Sequence, residues 1–176
     1  MPDAPYAESS RRAVFFDRDG VLNVDSGFVW RVADFVWRPT AVQCVKWLNA
    51  QGVFVFVVTN QSGVARGFYG EDDVRALHDH MQAELRAAGA HVDDFRFCPH
   101  HPEAQVVAYR SECACRKPRS GMIEDLLRGW RLQPQDCRLF GDRETDLEAA
   151  RRAGVPSTLV TEEIALIDLM RAAFPV

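Results

Sequence analysis

The sequence is short of several things, and each shortage narrows what the protein can be. No window approaches 18 consecutive apolar residues, so no membrane-spanning helix is expected. Basic residues are outnumbered: 21 Lys and Arg against 25 Asp and Glu give a net charge of −4, which argues against a nucleic-acid partner. That acidity leaves room for an anionic substrate, because a local cluster of cations governs the field inside a cleft. The chain has no Gly-x-x-x-x-Gly-Lys-Ser/Thr loop, which excludes a P-loop kinase or nucleotide hydrolase. Residues 1–12 have no apolar core and carry Asp3 and Glu8; they are expected to form a flexible arm, not a signal peptide. The five cysteines are an odd number and three of them cluster, which favours a metal site in a reducing compartment over a disulfide framework. The expectation is a cytoplasmic monomer with no membrane or nucleic-acid partner.

Internal repeats and low-complexity tracts are missing too. The 176 residues suit one domain, expected over residues 13–176. What the chain does have is alternation of two patterns. Residues 13–16, 94–98, 137–140 and 157–160 read as short strands, and residues 53–58 (Val-Phe-Val-Phe-Val-Val) have no polar alternate. Such a run suits a strand buried on both faces of a parallel sheet. Helical patterns lie between: one from Pro39 to just before Gly52, then residues 71–88, 122–130, 144–153 and 164–173. The fold class that follows is α/β, a doubly wound parallel sheet. Residues 99–120 make a stretch too long for a plain connection, and such a loop is expected to be functional or to be held by something.

Carboxylates gather at the strand ends. Asp17-Arg18-Asp19-Gly20 follows the first strand, and alternation along an extended chain turns Asp17 and Asp19 to one side and Arg18 away. The second long strand runs into Thr59-Asn60-Gln61-Ser62-Gly63, and the fourth into Gly141-Asp142, with Asp146 about a turn into the next helix. Each segment alone has a plain explanation: a turn, a polar strand cap, an acidic helix start. Together they fall at the carboxyl ends of strands, where open α/β sheets bind ligands. Asp17, Asp19 and Asp142 brought together would repel, and a divalent cation with oxygen ligands and open water positions, such as magnesium, would relieve them. Arg116-Lys117-Pro118 supplies cations for a phosphate.

Cys98-Pro99-His100 and Cys113-Ala114-Cys115 bracket the long stretch. Three thiolates and an imidazole are a structural zinc set, with His101 a rival to His100. Cys44 and Cys137 fall on apolar patterns and are expected in the core.

Phe15-Phe16-Asp17-Arg18-Asp19-Gly20, Val58-Thr59-Asn60, Lys117-Pro118 and Phe140-Gly141-Asp142 with Asp146 resemble, in this order, the motifs of the haloacid dehalogenase superfamily of phosphatases. The resemblance implies that fold, without a separate cap domain, since the stretch between Asp19 and Thr40 is too short for one. It implies Asp17 as nucleophile, Asp19 as general acid and base, Thr59 and Lys117 on the phosphoryl group, and magnesium on Asp17, Asp142 and the Asp19 backbone carbonyl. The zinc loop, residues 98–115 with ligands Cys98, His100, Cys113 and Cys115, makes the chain similar to the small histidinol-phosphate and heptose-bisphosphate phosphatase group. Residues 23–29, 59–67, 98–102 and 115–118 look most like the heptose-bisphosphate branch. That implies a phosphorylated sugar substrate, met by Asp25, Gly27, Phe28, Asn60, Gln61 and Ser62. Arg66 and Arg116 would hold a second phosphate, with Arg143 where the branch usually has lysine. Histidinol phosphate is the rival substrate. A non-catalytic zinc-stabilised interaction module is the rival of another class, disfavoured by the presence of the whole motif set.

Overall fold

The computed structural model describes residues 11–161 and 163–175; the arm expected over residues 1–12 falls, as far as residue 10, outside them. Five strands, β1 (Ala13–Phe16), β2 (Phe54–Asn60), β3 (Asp94–Cys98), β4 (Cys137–Gly141) and β5 (Ser157–Leu159), form one sheet in the order β3-β2-β1-β4-β5. Every pairing is parallel. Among the described residues six α-helices accompany them: α1 (Ala41–Ala50), α2 (Ser62–Ala65), α3 (Glu71–Ala87), α4 (Gly121–Trp130), α5 (Glu144–Arg152) and α6 (Leu166–Ala173).

The strands separate two cores by alternation. Val14, Phe16, Val55 and Val57 pack with Cys44 and Leu48 of α1, Met81 and Leu85 of α3, and Met170 of α6. Ala13, Phe15, Phe56 and Val58 pack on the other face with Met122 and Leu126 of α4 and Ala149 and Ala150 of α5. The all-apolar run at residues 53–58 is therefore buried from both sides, as a central parallel strand must be. Each fully buried Val, Leu or Phe stabilises the fold by about 1.5–3 kcal/mol relative to exposure.

Register aligns the strand ends that carry the polar motifs. Phe16 lies opposite Val57 on one side and Phe140 on the other, and the Asp17 amide continues the ladder to the Phe140 carbonyl at 3.0 Å. Strand order reverses between β1 and β4, so Asp17 and Asp142 flank the topological switch point.

Element boundaries differ modestly from the expected ones. β2 runs on to Asn60, and the polar segment after it, expected as a loop, forms the single turn α2. α1 starts only at Ala41 because Thr40 sits in the left-handed region at φ 67°. Between β1 and α1, hydrogen bonds from Val24 N to Val36 O (2.9 Å) and Arg38 N to Leu22 O (2.8 Å) pinch the chain into a flap over residues 24–36. The flap holds one short 3-10 turn, Val32–Asp34, and no lid domain occurs among the described residues. The stretch 99–120 docks on α2 and α3 through Val106 N to Ala65 O (3.0 Å) and Tyr109 Oη to Glu71 Oε1 (3.0 Å). Among the described residues no helix is long and apolar enough to cross a membrane.

Close approach at the end of β4 requires glycine. A Cβ on Gly141 would fall 2.2 Å from the Asp146 Cβ, so α5 rests directly on the strand end. Gly141→Ala is expected to cost about 1–3 kcal/mol as overpacking, whereas Gly129→Ala, with nothing within 4 Å on the exposed face of α4, should gain about 0.5–1 kcal/mol. Urea unfolding midpoints of the two variants check both signs.

Candidate active site

Asp17 and Asp142 are the first residues beyond β1 and β4, and Asp146 sits in the first turn of α5. The three offer carboxylate oxygens that all lie within 4.8 Å of one another. Lys117 closes the group: its Nζ is 3.0 Å from Asp17 Oδ1 and 2.6 Å from Asp146 Oδ1, and it donates to the Val58 carbonyl at 2.8 Å. Lys117 is only 3% exposed. Burial works against its charge, but Asp17 and Asp146 outweigh burial and hold the ammonium above its ordinary pKa. Burial pushes the Asp17 carboxyl up, Lys117 pulls it down, and Asp146 and Asp19 push it up again, with a net pKa of about 6. Asp142 is raised too, by burial first and then by Asp146.

The free oxygens show what this group fits. Asp17 Oδ1 accepts the Arg18 amide (2.8 Å), and Asp146 Oδ2 accepts the Arg143 amide (3.0 Å) as the cap of α5. Asp142 Oδ1 is buried with no partner. Gly20, at φ 82°, lies so close that a Cβ there would be 2.2 Å from Asp142 Oδ2. An orphaned buried carboxylate oxygen beside Asp17, in an all-oxygen setting with excess negative charge, suits a hard divalent cation such as magnesium. A cleft of about 490 Å³ opens beside Asp142, lined by Gly20, Asp25, Arg38 and Thr161 among others.

Arg18 does not turn away from Asp19, as alternation implied. The chain leaves extended geometry at once, with the amides of Val21, Leu22 and Asn23 all turning to the Arg18 carbonyl. The Arg18 side chain is completely buried and grips the Asp19 carboxylate through Nη2 at 2.9 Å. This role was missed in the sequence. The signal was there: an arginine next to a fully apolar strand, pointing away from the solvent-facing carboxylates, must find a partner inside.

Two residues assigned to the sugar are otherwise engaged. Asn60 donates from Nδ2 to the Lys117 carbonyl and accepts the Lys117 amide at Oδ1, both at 3.0 Å, so its amide is spent on fixing the lysine backbone. Gln61 is 1% exposed and donates from Nε2 to Asp19 Oδ2 and Thr59 Oγ1, both at 2.9 Å, while Oε1 accepts the Tyr69 hydroxyl at 2.7 Å. Polar residues at a buried strand end are consumed by their neighbours before a ligand arrives. Thr59 itself is buried near the end of β2, its hydroxyl linked to Asp19 through Gln61 Nε2.

The remaining expected residues lie on the rim. Asp25 accepts the Gly27 amide (2.9 Å) and pairs with exposed Arg143 (3.0 Å), whose guanidinium is 3.9 Å from Asp142. Phe28, half-exposed, packs edge-on against Phe68 at 4.9 Å, and the Arg66 guanidinium lies 5.9 Å from its ring centre. Ser62 opens α2. Arg116 donates to the His100 carbonyl at 3.2 Å, and partial burial with Arg116 and Arg66 nearby lowers the pKa of His101.

Cys98, His100, Cys113 and Cys115 converge as one group. The sulfurs are 3.0, 3.1 and 3.4 Å apart, and His100 Nδ1 is 3.6 Å from Cys115 Sγ and 3.8 Å from Cys98 Sγ. Three sulfurs and one imidazole nitrogen converging on one point are the donor set of a tetrahedral structural zinc site. Hydrogen bonding from the Cys98 thiol favours the Cys115 thiolate, with a pKa of about 5. His101 is not part of the cage; its Nδ1 accepts the Glu103 amide at 3.1 Å. Cys44 and Cys137 are core residues, as their patterns implied.

Residues 114–173 match a family model described as "HAD-hyrolase-like". The D-glycero-beta-D-manno-heptose-1,7-bisphosphate 7-phosphatase of Rhodopseudomonas palustris is 46% identical over 170 residues, covering 93% of this chain and 94% of that protein. The D-glycero-alpha-D-manno-heptose-1,7-bisphosphate 7-phosphatase of Burkholderia mallei is 40% identical over 149 residues, covering 85% of this chain and 79% of that protein. Among solved structures, the D,D-heptose 1,7-bisphosphate phosphatase of B. bronchiseptica complexed with magnesium and phosphate matches with a TM-score of 0.78 at 33% identity. That match covers 94% of this chain and 88% of the other.

The raised Asp17 pKa sets a pH dependence of stability. A carboxyl whose folded pKa is about 6 against an ordinary 3.8 favours the fold below 3.8, and the contribution is lost as pH rises through 6. Without divalent cations, the parent should therefore lose up to about 2–3 kcal/mol more stability than Asp17→Asn as pH rises from 4 to 8. The difference between the two proteins should stop changing below about pH 4. Calorimetry in chelator across that range reads the sign directly.

Proposed function

The chain belongs to the D-glycero-D-manno-heptose-1,7-bisphosphate 7-phosphatase family of haloacid-dehalogenase-like hydrolases, and on that footing we propose that it removes the 7-phosphate of D-glycero-D-manno-heptose 1,7-bisphosphate. The product keeps a phosphate on its anomeric carbon, the group that nucleotide activation of the heptose requires.

The reaction runs in two halves on the chain's own carboxyl groups. Asp17 attacks phosphorus in line; its bond to phosphorus forms as the bond to the C7 oxygen breaks, and Asp19 gives its proton to the departing alkoxide. Asp19 then takes a proton from water, whose oxygen attacks the aspartyl phosphate and frees inorganic phosphate. Both carboxyl groups return to their starting states. Lys117, 3.0 Å from the Asp17 carboxylate, and the Thr59 hydroxyl meet the phosphoryl oxygens, a largely electrostatic task. Asp17, Asp142 and the Asp19 carbonyl would hold magnesium, which would supply further neutralisation of the phosphoryl charge. Arg66, Arg116 and Arg143 serve the second phosphate, because guanidinium groups bind phosphate in bidentate fashion. Asp25, Gly27, Phe28 and Ser62 face the sugar. The observation that carries this reading is the buried Lys117 between Asp17 and Asp146, beside the orphaned oxygen of Asp142.

Zinc on Cys98, His100, Cys113 and Cys115 has a structural role: a closed four-donor set leaves no position for chemistry. It steadies a loop whose chain reaches Lys117 two residues after Cys115. The free cysteines suit a reducing cytoplasm.

Phosphate release is expected from the heptose 1,7-bisphosphate, offered as either anomer, at least about a hundredfold faster than from histidinol phosphate at equal concentration. It should require magnesium. Asp17→Asn should lower kcat by a factor of about a thousand or more. Equal rates on the two substrates, or parental turnover by Asp17→Asn, would remove the proposal. Cys113→Ser should lose bound zinc, measured by atomic absorption, and turnover together; full turnover without zinc would separate the loop from the site.

A further inference from the structure

Asp19 sits between two hydrogen-bonding jaws. On one side Arg18 Nε and Nη2 reach Oδ1 at 3.1 and 3.0 Å, Nη2 reaches Oδ2 at 2.9 Å, and Asn23 Nδ2 adds 3.0 Å to Oδ1. On the other side Gln61 Nε2 reaches Oδ2 at 2.9 Å and simultaneously holds the Thr59 hydroxyl. A carboxyl with a defined rotamer delivers its proton along a defined line, and small misplacements of a catalytic group cost large factors in rate. The jaws therefore bear on proton transfer, not on folding alone.

The Gln61 jaw has an aiming device of its own. A glutamine amide can turn by half a revolution and present its oxygen where its nitrogen was. Here the Tyr69 hydroxyl donates to Oε1 at 2.7 Å, so the carbonyl end is claimed and the NH2 end faces Asp19 and Thr59. Flipping the amide would set its oxygen against the Asp19 carboxylate, which has nothing to donate when ionised. Both jaws also rest on the same piece of the flap. Arg18 Nη2 donates to the Val29 carbonyl at 2.5 Å, and the Tyr69 ring stacks on Trp30 with centroids 5.8 Å apart and planes at 20°.

We propose that Gln61 is a positioning residue for Asp19 and that Tyr69 acts through Gln61 by fixing the orientation of its amide, with the Val29–Trp30 segment of the flap as the common support of both jaws. Gln61 acts through Asp19 and Thr59, and Tyr69 through Gln61. This rests on the assignment of Asp19 as the proton donor.

The test compares esters that do and do not need a proton on the leaving group. A primary-alcohol phosphate such as the heptose bisphosphate leaves as a strongly basic alkoxide; p-nitrophenyl phosphate leaves as a weakly basic phenolate. The quantity read is kcat/KM, which ends at formation of the aspartyl phosphate. Tyr69→Phe keeps the ring and its stacking and removes one hydrogen bond. It should lower the alkyl-to-aryl ratio of kcat/KM by about fivefold. Gln61→Met should lower that ratio by about thirtyfold, through loss of the contacts to Asp19 and Thr59. The double variant should be no worse than Gln61→Met, because Tyr69 has nothing left to orient. Equal falls on both esters, an unchanged ratio, or losses that multiply in the double variant would overturn the proposal. If the parent hydrolyses p-nitrophenyl phosphate but not the heptose bisphosphate, the substrate assignment fails, and the same ratio is read with another primary-alcohol phosphate, so the positioning role still stands or falls on its own result.

Discussion

Lys117 lies where three carboxylates would otherwise repel one another, and its ammonium is the contact the site depends on. Two like charges about 4 Å apart cost about 4 kcal/mol at an effective dielectric of 20. Asp17, Asp142 and Asp146 are drawn to such distances by the sheet register and by the seat of α5 on Gly141. Lys117 bridges two of them and leaves the third, Asp142, with an open oxygen. The result is a net negative recess one cation short of balance, the electrostatic condition for holding a divalent ion and then a phosphate. Removing one partner of a buried ion pair typically costs 3–5 kcal/mol, so the lysine supports the fold as well as the site.

The lysine belongs to no helix or strand, and its placement is borrowed from the sheet edge. Asn60, the last residue of β2, clasps the Lys117 backbone with both ends of its amide. Directly across the ladder from Asn60 is Cys98, where the four-donor metal cage begins. The chain returns from the cage at Cys115 and reaches Lys117 two residues later. A five-strand sheet thus fixes a cation it does not contain, by pinning both ends of an irregular loop to adjacent strand ends. The same economy holds on the other side of Asp17, where the flap is pinched at its base and hands its Val29 carbonyl to Arg18.

Much of this was legible in the residues. The apolar runs located β1 and β2 to within a residue or two because the central strands are buried on both faces. The carboxylates at strand ends and the two cysteine-bearing pairs declared themselves by spacing. The amides did not: Asn60 and Gln61 looked like ligand contacts because they follow a strand, whereas their partners, Lys117 and Asp19, come from other segments that only the tertiary fold brings near. Arg18 was misplaced for a related reason. Alternation describes a chain that stays extended, and here the chain turns immediately, folding the guanidinium back on its neighbour. Tyr69 and His78 carried a fainter signal. His78 lies on the inner face of α3 with Val74, Leu77 and Met81, where a polar side chain must be satisfied by something buried, in this case Arg18.

Gly20 and Gly141 leave no spare room around Asp142 and Asp146. Evolution toward another phosphate ester therefore has little freedom at the bottom of the cleft, where any added methylene displaces a charge. Variation has more room along the rim, where Phe28 and Phe68 are half-open to solvent and the exposed Arg66 lies beside them. A library aimed at new substrates would keep the strand tips constant and diversify that aromatic edge. Descendants of this scaffold should then differ in what they admit and not in how they break the bond.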